Sequence, residues 1–184
     1  MSRSRWFAAA MAAFSCMLAN AQPYGLGRGA TEREIAGWDI DVRPDGKGLP
    51  AGGGTASAGK PLYETHCAAC HGLKGEGKPA DALVGGRGTL NTDKPLMTVG
   101  SYWPYATTVY DYINRAMPFN APQSLKPDEV YAITAYLLFL NGIVGESERM
   151  DAQSLPKVRM PNRNGFVFDP RPDIHNVPCR EGCR

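Results

Sequence analysis

Residues 64–72 read ETHCAACHG, with Cys67 and Cys70 three apart, His66 just before the first and His71 just after the second. A disulfide, a zinc ion, a redox-active dithiol and a covalently attached haem all use residues of these types. On a helix, Cys67, Cys70 and His71 stand at i, i+3 and i+4 and project from one side. Two thiols and an imidazole on one face can grip a flat macrocycle. The sulfurs add to its two vinyl groups, and the imidazole binds its iron. C-x-x-C-H is the attachment signature of c-type haem.

The alternatives fit less well. A thioredoxin-like dithiol calls for a neighbouring βαβ pattern, and the chain has none. Zinc needs four ligands, and the other cysteines of the mature chain, Cys179 and Cys183, lie far downstream. A bare disulfide leaves the position of His71 to chance. The reading is one haem c, held by Cys67 and Cys70, with His71 on the iron.

The start of the chain places it outside the cytoplasm. Arg3 and Arg5 precede an apolar run from Trp6 to Ala19, and Ala19-Asn20-Ala21 is a small-x-small cleavage site. This is the layout of a secretory signal peptide over residues 1–21. The run is too short to span a bilayer, and no later stretch is apolar for long enough. A periplasmic location is expected, one that permits disulfides. Cys16 falls within the discarded peptide.

Cleavage removes two arginines and leaves 18 basic against 18 acidic residues. That balance gives no support for nucleic-acid binding. Gly and Pro number 21 and 15, so long irregular segments are expected around a modest core. Residues 22–56 read as an extended N-terminal arm, 57–142 as the haem domain, and 143–184 as an extended C-terminal arm. Thr31 and Glu34 match a capping box for a short helix within the first arm. A helix beginning near Pro61 leads into the cysteines. A second covers YATTVYDYINRA and stops at Met117-Pro118. A third starts at Pro127, with Asp128 and Glu129 in its first turn, and ends at Asn141-Gly142. No alternation is strong enough to indicate a sheet. The fold class is all-α with long coil arms.

A haem held by one histidine has a second axial position. Met97, Met117, Met150, Met160, His66 and His175 are the candidates in the mature chain. A methionine is more often core filler than a ligand. Met117 differs because a Met-Pro turn between two helices can carry its thioether over the far haem face. Met160-Pro161 repeats the dipeptide, but beyond the last helix. Ligation by His71 and Met117 raises the reduction potential and closes the iron to substrate, leaving outer-sphere electron transfer. No arrangement of residues stands out as catalytic.

With CAACH, the Met-Pro turn and the closing helix in place, residues 57–142 resemble class I cytochromes c. The resemblance implies a small orthogonal array of helices around haem, with Gly59 and Tyr63 of the first helix crossing Tyr136 of the last. The flanks WDIDVRPDGKGLP, VGSYWPYATTVYDYINRAMP and LNGIVGE…LPKVRMPNRNGF are similar to the SoxD type, the cytochrome c subunits of sulfane dehydrogenase, with close relatives beside sulfite dehydrogenases. That likeness implies a molybdopterin-binding dehydrogenase subunit as electron donor and a downstream small cytochrome or oxidase as acceptor. It also implies Trp103 and Tyr105 near the haem and the Pro79 carbonyl at His71 Nδ1. SoxD proteins carry two haem motifs, whereas this chain has a single C-x-x-C-H.

Two other readings remain open: a freestanding carrier to a terminal oxidase, and a haem enzyme such as a peroxidase or thiosulfate-oxidising cytochrome. The tail cysteines Cys179 and Cys183 are a disulfide candidate in an oxidising compartment, with a link to a partner or a metal site with His175 as alternatives.

Overall fold

The computed structural model describes residues 26–171. The expected signal peptide and the Cys179/Cys183 pair lie outside these residues. The chain divides into two units between Asp39 and Ile40.

The first unit holds α1 (Glu32–Trp38). The capping box forms: Glu34 N–H donates to Thr31 Oγ1 at 3.3 Å, and Thr31 N–H donates to the Glu34 carboxylate at 2.9 Å. Every residue of α1 is exposed, including Ile35 and Trp38.

The second unit runs in the order β1 (Gly53–Gly54), α2 (Ala56–His66), α3 (Ala68–His71), α4 (Ala106–Ala116), α5 (Pro127–Leu140) and β2 (Met150–Asp151), followed by a 3₁₀ turn over Leu155–Lys157. Helix α5 is the centre of the core. Residues 130–138 are all buried, as expected for a helix apolar on every side. Its first turn is fixed by Glu129, whose carboxylate accepts from Lys126 N–H at 2.7 Å. Helices α2 and α4 both pack on it. Tyr63 of α2 meets Tyr136 of α5 with ring centroids 5.4 Å apart, and Tyr110 of α4 meets Tyr131 at 4.5 Å.

Helix α2 starts five residues earlier than Pro61. Thr55 caps it, accepting from Ala58 N–H at 3.3 Å, and Ala56 is fully buried in the core. Pro61 therefore lies inside the helix. It has no N–H to give the Ser57 carbonyl, and exposed Ser57 leaves that carbonyl to solvent.

Within the second unit, both arms pack on the helices. In the N-terminal arm, Val42 N–H donates to Asp111 Oδ1 at 2.7 Å and Gly53 N–H to Asp128 Oδ1 at 2.7 Å. Tyr131 Oη in turn donates to the Pro50 carbonyl at 2.9 Å. The C-terminal arm buries Met150, Leu155 and Met160, each such side chain stabilising by roughly 1.5–3 kcal/mol. The arms then pair with each other, Gly53 opposite Asp151 and Gly54 opposite Met150, antiparallel. Gly54 is required there, because a Cβ would fall 2.6 Å from Ala132. This two-stranded ladder is too short to leave an alternating pattern in the sequence.

Candidate functional site

The CAACH stretch is a hinge followed by one helical turn. Helix α2 ends at His66, and Cys67 takes φ −124° and ψ −36° before α3 begins. The turn holds together because Cys70 and His71 N–H both donate to the Cys67 carbonyl, at 3.1 and 3.0 Å. Tyr63 Oη donates to the Gly72 carbonyl at 2.9 Å, tying the end of the turn back to α2. Both thiols are free, Cys67 half-buried and Cys70 exposed. Burial, with Cys70 adding to it, pushes the Cys67 thiol up to about 11, which favours its neutral form.

His71 is oriented by the loop after it. Its Nδ1 lies 2.8 Å from the carbonyl oxygen of Asp81. A carbonyl only accepts, so Nδ1 carries the proton and the Nε2 lone pair is free for a metal. The expected partner was the Pro79 carbonyl, and the structure replaces it with Asp81. Lys78 N–H donates to the Ala80 carbonyl at 2.7 Å, and Ala80 N–H to the Cys70 carbonyl at 2.9 Å. These bonds fold residues 78–80 into a tight outward turn, so the chain returning from it faces the ring. Pro79 stands exposed at the tip. Buried Gly77, at φ +89°, permits the turn, since a Cβ there would sit 2.9 Å from Ala82 N.

The methionines separate by environment. Met150 and Met160 are buried in the core, and Met97 is exposed. Met117 is half-buried at the end of α4, packed against the core. Its N–H donates to the Ile113 carbonyl at 3.0 Å, while its own backbone is extended, at φ −122° and ψ 148°. His66 is exposed at the end of α2. Trp103 and Tyr105 are half-buried just before α4. Trp103 meets Tyr112 edge-on at 5.8 Å, and the Arg163 guanidinium lies 4.2 Å over the Tyr105 ring. That cation–π contact, with Asn162 Nδ2 donating to the Tyr102 carbonyl at 2.6 Å, brings the C-terminal arm onto this segment. Sequence reading missed both Asp81 and Arg163. A backbone carbonyl leaves no side-chain signature, and Arg163 sits in coil without periodicity.

The profile of the family described as Cytochrome c matches residues 56–141. The crystal structure of the sulfane dehydrogenase SoxCD from Paracoccus pantotrophus contains a chain that is 43% identical. The two superpose with a TM-score of 0.76, covering 88% of this chain and 82% of the other. The chain belongs to the cytochrome c family. No match was found among curated proteins.

This cytochrome is therefore an electron-transfer protein, similar to a chain of the SoxCD sulfane dehydrogenase. Its family carries covalently bound haem c, and the donor set fits that group. Two free thiols and an imidazole with Nε2 unengaged occupy one turn. Among the described residues, no helix of the cytochrome is long and apolar enough to cross a membrane.

Proposed function

We propose that the chain is an exported, periplasmic monohaem cytochrome c that takes electrons from a molybdenum-containing sulfane or sulfite dehydrogenase. The observation that carries the haem assignment is the hydrogen bond between His71 Nδ1 and the Asp81 carbonyl inside a C-x-x-C-H turn. Cys67 and Cys70 would hold the haem covalently through their thiols, and His71 Nε2 would bind its iron. Met117, half-buried on the turn after α4, would supply a second ligand to the iron. When bound, the haem supplies a one-electron couple.

The protein's part is to hold that couple steady. The Asp81 carbonyl raises the basicity of His71 and fixes its ring. The thioether of Met117 favours the reduced state and excludes other ligands. The resemblance to the SoxD type supports a position near the haem for Trp103 and Tyr105, which are half-buried before α4.

The dehydrogenase partner is inferred from the likeness to a chain of a sulfane dehydrogenase complex, at 43% identity over most of both chains. Long arms serve as its docking elements. Co-expression with a molybdenum-containing sulfane dehydrogenase subunit tests this. Stable co-purification is expected, and it should be lost when residues 143–184 are removed. Unchanged association after that truncation refutes docking by the C-terminal arm. Failure to associate at all favours a freestanding carrier.

A further inference from the structure

Asn141 ends α5, and its side chain reaches out of the helix. Nδ2 donates to the Leu137 carbonyl within α5 at 2.9 Å and to the Leu83 carbonyl at 3.1 Å. Oδ1 accepts from Gly85 N–H at 3.2 Å. Leu83 and Gly85 belong to the loop that presents the Asp81 carbonyl to His71. That loop is pinned on both sides of Asp81. Before it, Ala80 N–H donates to the Cys70 carbonyl, within the C-x-x-C-H turn itself. After it, the Leu83 carbonyl accepts from Asn141 Nδ2 and from Val99 N–H at 3.2 Å. Leu83 and Val84 N–H also donate to the Gly75 carbonyl, at 2.8 and 3.1 Å. Asn141 is thus the side chain that ties the far side to the central helix.

The 98–101 turn closes on the same residue. Thr98 Oγ1 donates to the Gly85 carbonyl at 2.6 Å. Gly100 approaches so closely that a Cβ there would lie 2.2 Å from Asn141 Oδ1. One amide side chain therefore joins the end of α5, the loop behind His71 and the turn leading to Trp103. A helix cap alone needs none of the bonds to Leu83 or Gly85.

We propose that Asn141 is a positioning residue for the axial histidine, holding the Asp81 carbonyl in register with His71 Nδ1. The inference rests on His71 being the iron ligand. Asn141 touches neither the ring nor the iron and acts through residues 81–85. Its effect is on how long the Nδ1–H bond stays closed, since a ligand's hydrogen-bond partner sets its orientation and basicity.

The test is proton exchange of His71 Nδ1–H, followed by NMR in the full-length, haem-loaded protein, alongside denaturant stability. Asn141→Gly deletes the side chain and leaves a residue well suited to a helix end. Gly100→Ala keeps Asn141 but drives its amide away. Arg87→Ala removes only the bond from Arg87 Nη2 to the Asn141 backbone carbonyl and is the control. Exchange should quicken about tenfold in Asn141→Gly and Gly100→Ala, the scale of one net hydrogen bond, and stay at the wild-type rate in Arg87→Ala. A loss of stability in Asn141→Gly with unchanged exchange in both variants makes Asn141 a helix cap only and overturns the proposal. A wild-type protein whose oxidised spectra lack a histidine-ligated low-spin iron overturns the ligand reading itself, and this inference with it.

Discussion

Gly59 of α2 lies directly on the backbone of α5 at Ala132. A Cβ on Gly59 would fall 1.9 Å from the Ala132 carbonyl oxygen and 3.0 Å from Tyr136 Cβ. The two helices cross where one has no side chain, which brings the Tyr63 and Tyr136 rings together beside the contact. Gly59→Ala should therefore cost stability at the upper end of the roughly 1–3 kcal/mol typical of overpacking, because the atom it meets is backbone. Chemical denaturation of the haem-loaded protein measures this. A loss under 0.5 kcal/mol, the scale of an ordinary surface substitution, contradicts the crossing.

Replacement of Met117 by Ala should leave haem attachment intact, since the proposed thioether bonds are those of Cys67 and Cys70. It should open one axial position, lower the reduction potential and let cyanide bind. Optical and magnetic spectra with added cyanide check this. An unaltered spectrum excludes Met117 as ligand, and a wild-type iron that already binds cyanide supports the haem-enzyme reading.

Tyr63 carries two functions that a single substitution separates. Tyr63→Phe keeps the ring contact with Tyr136 and removes the bond from Oη to the Gly72 carbonyl. The expected cost is about 1 kcal/mol, with faster amide exchange in residues 68–72. Equal exchange in both proteins shows that this bond does not hold the C-x-x-C-H turn.

Asp111 anchors the N-terminal arm to α4. Its Oδ1 accepts from Val42 N–H at 2.7 Å and pairs with Arg115 at 2.6 Å. Asp111→Ala leaves the Val42 N–H without its carboxylate, at a cost of roughly 1.5–3 kcal/mol for a bond to a charged group. Limited proteolysis should then cut within residues 40–50 at protease levels that spare the wild type. An unchanged digestion pattern shows that the arm is held mainly by its apolar contacts.

The capping box of α1 gives a pH dependence with a definite sign. Arg28 first, then Thr31, holds the Glu34 carboxyl at about 2 against an ordinary 4.5. A group whose folded pKa is depressed stabilises above its unfolded pKa and loses that contribution as pH falls. The box's contribution to stability should be complete at neutral pH and decline below 4.5, while the Thr31 amide shift should titrate with its midpoint near pH 2. Because Glu34 is exposed, added salt should narrow the window. A titration centred near 4.5 shows that the box does not form.

The haem motif was readable because its chemistry is local. Cys70 and His71 lie on the single turn of α3 and Cys67 caps it, so a handful of neighbouring residues places all three. Helices α4 and α5 were readable for a similar reason: apolar spacing, a proline start and a glycine stop are short-range signals. The start of α2 was not, because Pro61 is a strong first-turn residue and Thr55 a quiet one. The burial of Ala56 against distant residues outweighed that local preference.

The sequence by itself pointed to the C-x-x-C-H haem motif, to the order of α2, α4 and α5 and to Met117-Pro118 as the place for a second ligand, all of which depend on residues within a few positions of each other. Tertiary structure alone decided which carbonyl orients His71, that Asn141 braces its loop, and that the two arms meet in a ladder over α5. Those contacts join backbone groups and polar side chains from segments far apart in the chain. Backbone N–H and C=O groups are the same at every position, so their partners are set by the packing that brings them together.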